Sequence, residues 1–348
     1  MALSSYFSQR QKVLRLEGPE PGTIRLVERD LRPLLGNEAH VRILAAGICG
    51  TDLQILRRGR IAASYKLPVV LGHEFCGEIL AVGSEVTDFR PGERVVAETH
   101  LSCGICRQCR DNRRHTCENL KVFSRLDRGG FADQAIVPAA LLRRVPHHLA
   151  PSIASLSEPL GIAVRAVSMH DLTNKTLMVT GCGPIGLMCI AVARRSGAKI
   201  IVAADFSVER LELAKKLGAS MVVNPSEQAV LASERRIDVA IDASGSARAI
   251  AEALASVVTG GHLVLAGMPE AEVSLDLARH VVLREVSISG VYGRLIDETW
   301  HSVQRLLTTG DFDLSPLITH EFALADFEAA FACASSGKAG KVVFRVAD

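Results

Sequence analysis

The stretch "KTLMVTGCGPIGLMCIAVARRSGAKIIVAADFSVERLELAKKLGA", residues 175–219, limits the possible folds more than any other. An apolar run from Leu177 to Val179 enters Gly181-x-Gly183-x-x-Gly186, a helical pattern continues to Arg195, and a second apolar run ends at Asp205. Strand, tight turn, helix, strand and helix in that order make a βαβ unit. Gly181 permits the turn, Gly183 lets backbone approach a pyrophosphate, and Gly186 lets the helix pack closely on the strand. The diphosphate then rests at the helix N-terminus. A lone glycine pattern is weak; its place between a strand and a helix makes this one informative. Asp205, nineteen positions after Gly186, can accept hydrogen bonds from an adenosine ribose diol and would repel a 2′-phosphate. The expected cofactor is therefore NAD rather than NADP, with Arg210 the one neighbour able to soften that preference.

The segment from Thr176 to Ala193 is apolar enough to suggest a membrane span, but three glycines and a proline fall within six of its residues. A buried strand, a turn and a buried helix fit it better. Further alternation follows: "RIDVAIDASG", "GGHLVLAGMP" and "EVSISGVYG" read as strands, with the helix "SARAIAEALASVV" between the first two. That alternation predicts an α/β fold with a doubly wound parallel sheet over residues 165–298. Residues 1–164 differ, carrying short β-like runs ("HVRILAAG", "CGEILAVG", "ERVVAET", "ADQAIVP") between glycine and proline turns. The tail, 299–348, adds two helices and the strand "GKVVFRV", which finds partners most easily by returning to the first domain.

Four of nine cysteines lie in "CGICRQCRDNRRHTC". Cys103, Cys106, Cys109 and Cys117 have the spacing C-x2-C-x2-C-x7-C, which lets the chain curl until four thiolates complete a tetrahedron around zinc. No position remains for water or substrate, so such a site folds a loop and does not catalyse; an oxidation-released zinc switch is the sharper alternative. An odd cysteine count and an N-terminus without an apolar leader point to a reducing cytoplasm and against disulfides. Cys76, Cys182, Cys189 and Cys333 lack ligand spacing and read as inert core thiols.

A second, open metal site is spread over "AAGICGTDLQ", "LPVVLGHEFCGEI" and "SLSEPLG". Cys49, His73 and Glu74 offer a sulfur, a nitrogen and carboxylate oxygen, and Glu158 stands beside a proline that stiffens its turn. Three protein ligands plus a free position is the pattern of a catalytic zinc. Taken singly, Cys49 could be a small core residue and His73–Glu74 a hydrogen-bonded strand end. The formal charge of +2 and the scattered Lys and Arg give no reason to expect nucleic acid or an anionic membrane as partner.

The combination resembles the zinc-dependent medium-chain alcohol dehydrogenases, and within them the L-threonine 3-dehydrogenase family. The stretches that carry the resemblance are "GICGTD", "GHEFCGEI", "ETHLSCGICRQCR", "GGFADQAIVP", "EPLGIAV", "TGCGPIG", "GVYGRLIDETW" and "SPLITHEF…GKAGKVVF". The resemblance implies a GroES-like β-rich catalytic domain at 1–164, completed by 299–348, and a Rossmann domain at 165–298. It implies two zinc ions per chain, NAD, and oxidation of a small secondary alcohol, L-threonine, to a ketone by a homodimer or homotetramer. Cys49, His73 and Glu74 would ligate the catalytic zinc, with Glu158 a ligand or a partner of zinc-held water. Thr51 would start a proton relay. Ile185, Asp205, Arg210, Ala266, Gly267, Met268, Val291 and Tyr292 would line the cofactor site alongside the three glycines. His100 would stand near the substrate; its bland reading is a surface histidine at a strand end.

One departure bears on the substrate. The threonine and polyol enzymes usually carry histidine three residues after the Thr51 position, where this chain has Gln54, and an amide cannot shuttle a proton near neutrality. The tryptophan-bearing segment that usually follows is replaced by "ILRRGRIAASYKLP". A polyol, sugar or amino-alcohol dehydrogenase is thus a rival reading, and a non-catalytic zinc or redox sensor is the rival from another class.

Overall fold

A computed structural model describes residues 10–20, 22–227 and 236–347; the expectation about an N-terminal leader falls on residues 1–9, outside the described residues. The catalytic half is built on a seven-stranded sheet. Its order runs Leu142–Arg144, Arg94–Ala97, Glu74–Val82, Glu38–Gly47, Lys341–Arg345 and Ile318–Ala323, with Gln134–Pro138 also pairing along Glu38–Gly47. Glu38–Gly47 is bonded on both edges, which is why all but one of its ten residues are buried. Val41 and Ile43 stand at no exposure there, and burying a side chain of that kind contributes about 1.5–3 kcal/mol. The last strand does return to this sheet: Val343, Phe344 and Arg345 lie opposite Gly47, Ala46 and Ala45.

The second half is a six-stranded sheet, all parallel, in the order Met221–Val223, Ile200–Ala204, Thr176–Thr180, Ile237–Asp242, Val257–Leu265, Ser287–Gly290. In chain order that is 3-2-1-4-5-6, the doubly wound dinucleotide-binding topology. The direction of winding reverses between Thr176–Thr180 and Ile237–Asp242, and register brings Thr180, Ala204, Asp242, Leu265 and Gly290 to one edge. The apolar segment from Thr176 onward is a strand, a turn and the helix Pro184–Arg195. Among the described residues no helix is long and apolar enough to cross a membrane.

The helices Ser157–Val167 and Ile296–Thr308 pack on one another and on the nucleotide-half helix. One core runs across the divide: Cys76 and Val96 of the catalytic sheet belong to the same cluster as Leu160, Leu187, Ile190 and Trp300. The site cleft is therefore walled by both halves.

Candidate active site

The glycine turn shows a steric reason at two of its three glycines, Gly181 and Gly186. Gly181 has φ +86°, and a Cβ there would stand 2.8 Å from the backbone of Ser244. A Cβ on Gly186 would press into the carbonyl oxygen of Gly181, whereas one on Gly183 would meet nothing within 4 Å. The helix N-terminus therefore opens onto free space with donor amides facing it, a cradle that fits a diphosphate. Asp205 closes the turn: its carboxylate accepts from the amides of Cys182 at 2.7 Å and Ser207 at 2.8 Å. Arg210 donates through Nε to the carbonyl of Ala339 at 3.0 Å, and its charge is felt at Cys182 of the turn. Ile185 is half-buried in the first turn of the helix. Ala266, Gly267 and Met268 follow one strand end, and Val291 and Tyr292 follow the next, on the same edge. Asp242, not singled out by sequence, is buried and gathers this edge, accepting from Thr180 Oγ1, Ser244 Oγ and the Gly245 amide at 2.6–2.9 Å.

Asp205→Ala is expected to shift the NADP-to-NAD ratio of kcat/KM towards NADP by about 10-fold or more, because hydrogen bonds to a charged group contribute about 1.5–3 kcal/mol. Steady-state kinetics with both cofactors measures it, and an unaltered ratio would contradict the role given to Asp205.

The four cysteines of the loop converge. Sγ–Sγ separations are 3.5 Å for Cys106–Cys109, 3.8 Å for Cys106–Cys117 and 4.0 Å for Cys103–Cys109. A tetrahedron with Zn–S about 2.3 Å has an edge of about 3.8 Å, so the set fits zinc. The amides of Cys103 and Asn119 donate to Cys117 Sγ, both at 3.3 Å, and backbone donors at Ile105 and Cys106 bring the Cys103 thiol down to about 6. All nine cysteines are free thiols. Burial pushes the Cys76 and Cys189 thiols up to about 12, in keeping with inert core residues.

The other cluster joins three segments. Cys49 caps the helix Gly50–Leu56, its sulfur accepting from the Thr51 amide at 3.5 Å, while buried Asp52 returns a bond to the Cys49 amide at 2.9 Å. That reciprocal cap fixes where the thiol points. His73 and Glu74 open the strand Glu74–Val82, and Asp52 Oδ1 lies 3.8 Å from His73 Nδ1. One ligand atom each from Cys49, His73 and Glu74 lies within 4.8 Å of the others, and a soft sulfur, an imidazole and a carboxylate are a donor set that suits zinc. Glu158 is outside this triad. It is buried in the helix Ser157–Val167, ion-paired with Arg294 and accepting from Thr99 Oγ1 at 3.2 Å. Thr51 and Gln54 sit one turn apart on the helix that starts at Cys49, both half-buried.

Arg294 has no exposed side-chain surface and meets two carboxylates, Glu158 and, at 3.5 Å, Glu98. Glu98 also accepts from Trp300 Nε1 at 2.7 Å and from His100 Nδ1 at 2.8 Å. Burial is the largest influence on Glu98 and opposes its charge, but Arg294, His100 and Trp300 together outweigh it and hold the carboxyl well below the usual range. With Nδ1–H committed to Glu98, Nε2 is left as the acceptor of the His100 ring, on the side of Gly293. Its ring lies edge-on to Tyr292, centroids 5.8 Å apart. His100 is thus only a tenth exposed, and held at the junction of the halves.

These geometries coincide with what the chain is similar to. Residues 36–147 match the alcohol dehydrogenase GroES-like domain, and residues 184–309 match the zinc-binding dehydrogenase family. The L-threonine 3-dehydrogenase of Pyrococcus horikoshii is 38% identical, over 96% of this chain and 99% of its own. That of Streptomyces coelicolor is 39% identical, over 95% and 98%. The chain belongs to the zinc-dependent medium-chain alcohol dehydrogenases. Solved members of similar shape include 2R,3R-butanediol dehydrogenase from Bacillus subtilis, with TM-score 0.87 and 26% identity over 97% of this chain and 100% of that one. L-Idonate 5-dehydrogenase from Escherichia coli has TM-score 0.87 and 25% identity over 97% and 98%. As a zinc-dependent alcohol dehydrogenase, the chain oxidises an alcohol with zinc and NAD as cofactors. In this family setting the sulfur tetrahedron has no open position for a reactant, and the Cys49 cluster does.

Proposed function

We propose that this dehydrogenase oxidises the secondary hydroxyl of L-threonine to give 2-amino-3-oxobutanoate, with Cys49, His73 and Glu74 holding the catalytic zinc and the four-cysteine loop a structural one. The observation that carries the substrate is the agreement of relatives named L-threonine 3-dehydrogenase, from archaeal and bacterial organisms, along almost the whole chain. When bound, zinc supplies Lewis acidity to the substrate hydroxyl and NAD accepts the hydride. The chain's own residues then bind, orient and move the proton. Thr51, two residues from Cys49, would take it from the substrate hydroxyl. Gln54 hydrogen-bonds but does not carry it further, so His100, with its Nδ1 held by Glu98, provides Nε2 as the acceptor near the cleft. Glu158 is read as a carboxylate held by Arg294 beside the metal rather than on it. The cofactor residues are those gathered at the parallel-sheet edge, with Asp205 on the ribose. A homodimer or homotetramer working in the cytoplasm completes this reading.

Gln54 favours a second substrate, because the threonine and polyol families usually place histidine there. A panel of L-threonine, sorbitol, glucose and amino-alcohols, followed by NADH absorbance, separates the readings. L-Threonine is expected to give the highest kcat/KM; a polyol or amino-alcohol exceeding it would transfer the assignment to that class. Gln54→His is expected to move the pH-rate profile, and an unchanged profile would remove position 54 from the proton route.

A further inference from the structure

Lys341 opens the strand that returns from the end of the chain, and its side chain is 1% exposed. Its ammonium ion-pairs with Oε2 of Glu74, which is buried to the same extent. The slot is narrow: a Cβ on Gly47 would stand 2.5 Å from that oxygen and 2.8 Å from Lys341 Cε. Burying an ammonium is costly, and this one opposes that cost by facing Glu74, Cys49 and Asp52. The same Glu74 carboxylate supplies an oxygen to the cluster with Cys49 and His73. The carboxylate therefore faces both a lysine brought in from the far end of the sequence and the metal-ligand set.

We propose that Lys341 is a positioning residue that restrains Glu74 to offer a single oxygen towards Cys49 and His73, and so keeps a coordination position open for the reactant. The inference rests on the reading of Cys49, His73 and Glu74 as the ligand set. A carboxylate that binds through both oxygens fills two positions; an ammonium on Oε2 withholds one of them. A positive charge a few ångströms away also repels a divalent cation, and between side chains this deeply buried that repulsion is weakly screened. Lys341 thus trades strength of metal binding for openness of the site.

The test measures Co²⁺ affinity and the visible Co²⁺ spectrum by chelator competition, with the four-cysteine loop kept loaded with zinc. Lys341→Met is expected to hold Co²⁺ about 10-fold or more tightly, in the range by which groups outside the ligand set shift metal affinity. Its visible band is expected to weaken as coordination number rises. Lys341→Arg, which keeps the charge, is expected to retain the wild-type affinity and spectrum. Glu74→Gln weakens binding, and the double variant follows Glu74→Gln, since Lys341 acts only through that carboxylate. Lys341→Gln stands in if the methionine variant does not accumulate as folded protein. If Glu74→Gln weakens binding while neither Lys341 variant tightens it or alters the spectrum, the role of Lys341 is overturned and the ligand set stands. If Glu74→Gln leaves affinity and spectrum unchanged, the ligand set fails and the proposal with it.

Discussion

Cys49→Ser is expected to lower kcat/KM by about 10³-fold or more while NADH still binds with its wild-type affinity. Lewis-acid stabilisation of the developing charge contributes several kcal/mol, and each 1.36 kcal/mol is a factor of about ten in rate. Removing the sulfur takes away one of three donors that lie within 4.8 Å of one another. The nucleotide cradle at Gly181–Gly186 belongs to the other sheet and has its own supports, Asp205 and Asp242. NADH fluorescence titration and steady-state kinetics on the same preparation separate the two effects, and zinc analysis checks that the four-cysteine loop stays loaded. Full turnover in protein stripped of the Cys49-site metal would sink the catalytic assignment.

Arg294→Met should be the most destabilising single substitution in the molecule, by about 3–5 kcal/mol at neutral pH. Removing one partner of a buried ion pair leaves the other uncompensated, and here two carboxylates, Glu98 and Glu158, lose their shared cation. The sign of the pH effect follows from Glu98. In the wild type its carboxyl is depressed below the ordinary 4.5, chiefly against burial and by Arg294. Its contribution is therefore full above pH about 4.5 and fades as pH falls towards its folded value. Without Arg294, burial is opposed only by the bonds from His100 and Trp300 and protonation relieves the cost, so the stability gap between variant and wild type is widest at neutral pH and narrows on acidification. Denaturant unfolding at pH 7 and pH 4 measures both quantities. A gap that stays below about 1 kcal/mol, the usual scale for an exposed pair, would show that the arginine is not what holds this junction together.

The fold class was legible because its signals are local. A strand, a glycine turn and a helix fall within twenty residues, and the alternation of apolar runs with helical patterns repeats to residue 290. The four-cysteine loop was legible for the same reason: two-residue gaps bring sulfurs to one centre by the geometry of a short curl, whatever packs around it. Even the return of the last strand to the first sheet could be anticipated, since "GKVVFRV" is a β-like run after the parallel alternation has ended, and it is paired on both edges there. Arg210 also donates through Nε to the Ala339 carbonyl, a contact 129 residues away that no spacing rule announces.

Local spacing also nominated Glu74 and Glu158 as rivals for one role, and nothing along the chain could rank them. The fold separates them by giving each a different cation: Lys341 for Glu74 and Arg294 for Glu158. His100, expected near the substrate by resemblance or else at a strand end, opens the strand His100–Leu101 with Glu98 and Tyr292 beside it, contacts that spacing does not announce. By itself, then, the sequence determined the two-sheet architecture, the dinucleotide turn and which side chains have the chemistry to hold metal. Tertiary structure alone decided how the buried charges are partnered, Glu74 with Lys341 and both Glu158 and Glu98 with Arg294. The physical reason is distance along the chain. Periodicity and ligand spacing act over a few residues, whereas the pairs Arg294–Glu158 and Trp300–Glu98 join positions 136 and 202 residues apart and exist only once both halves have closed on one core.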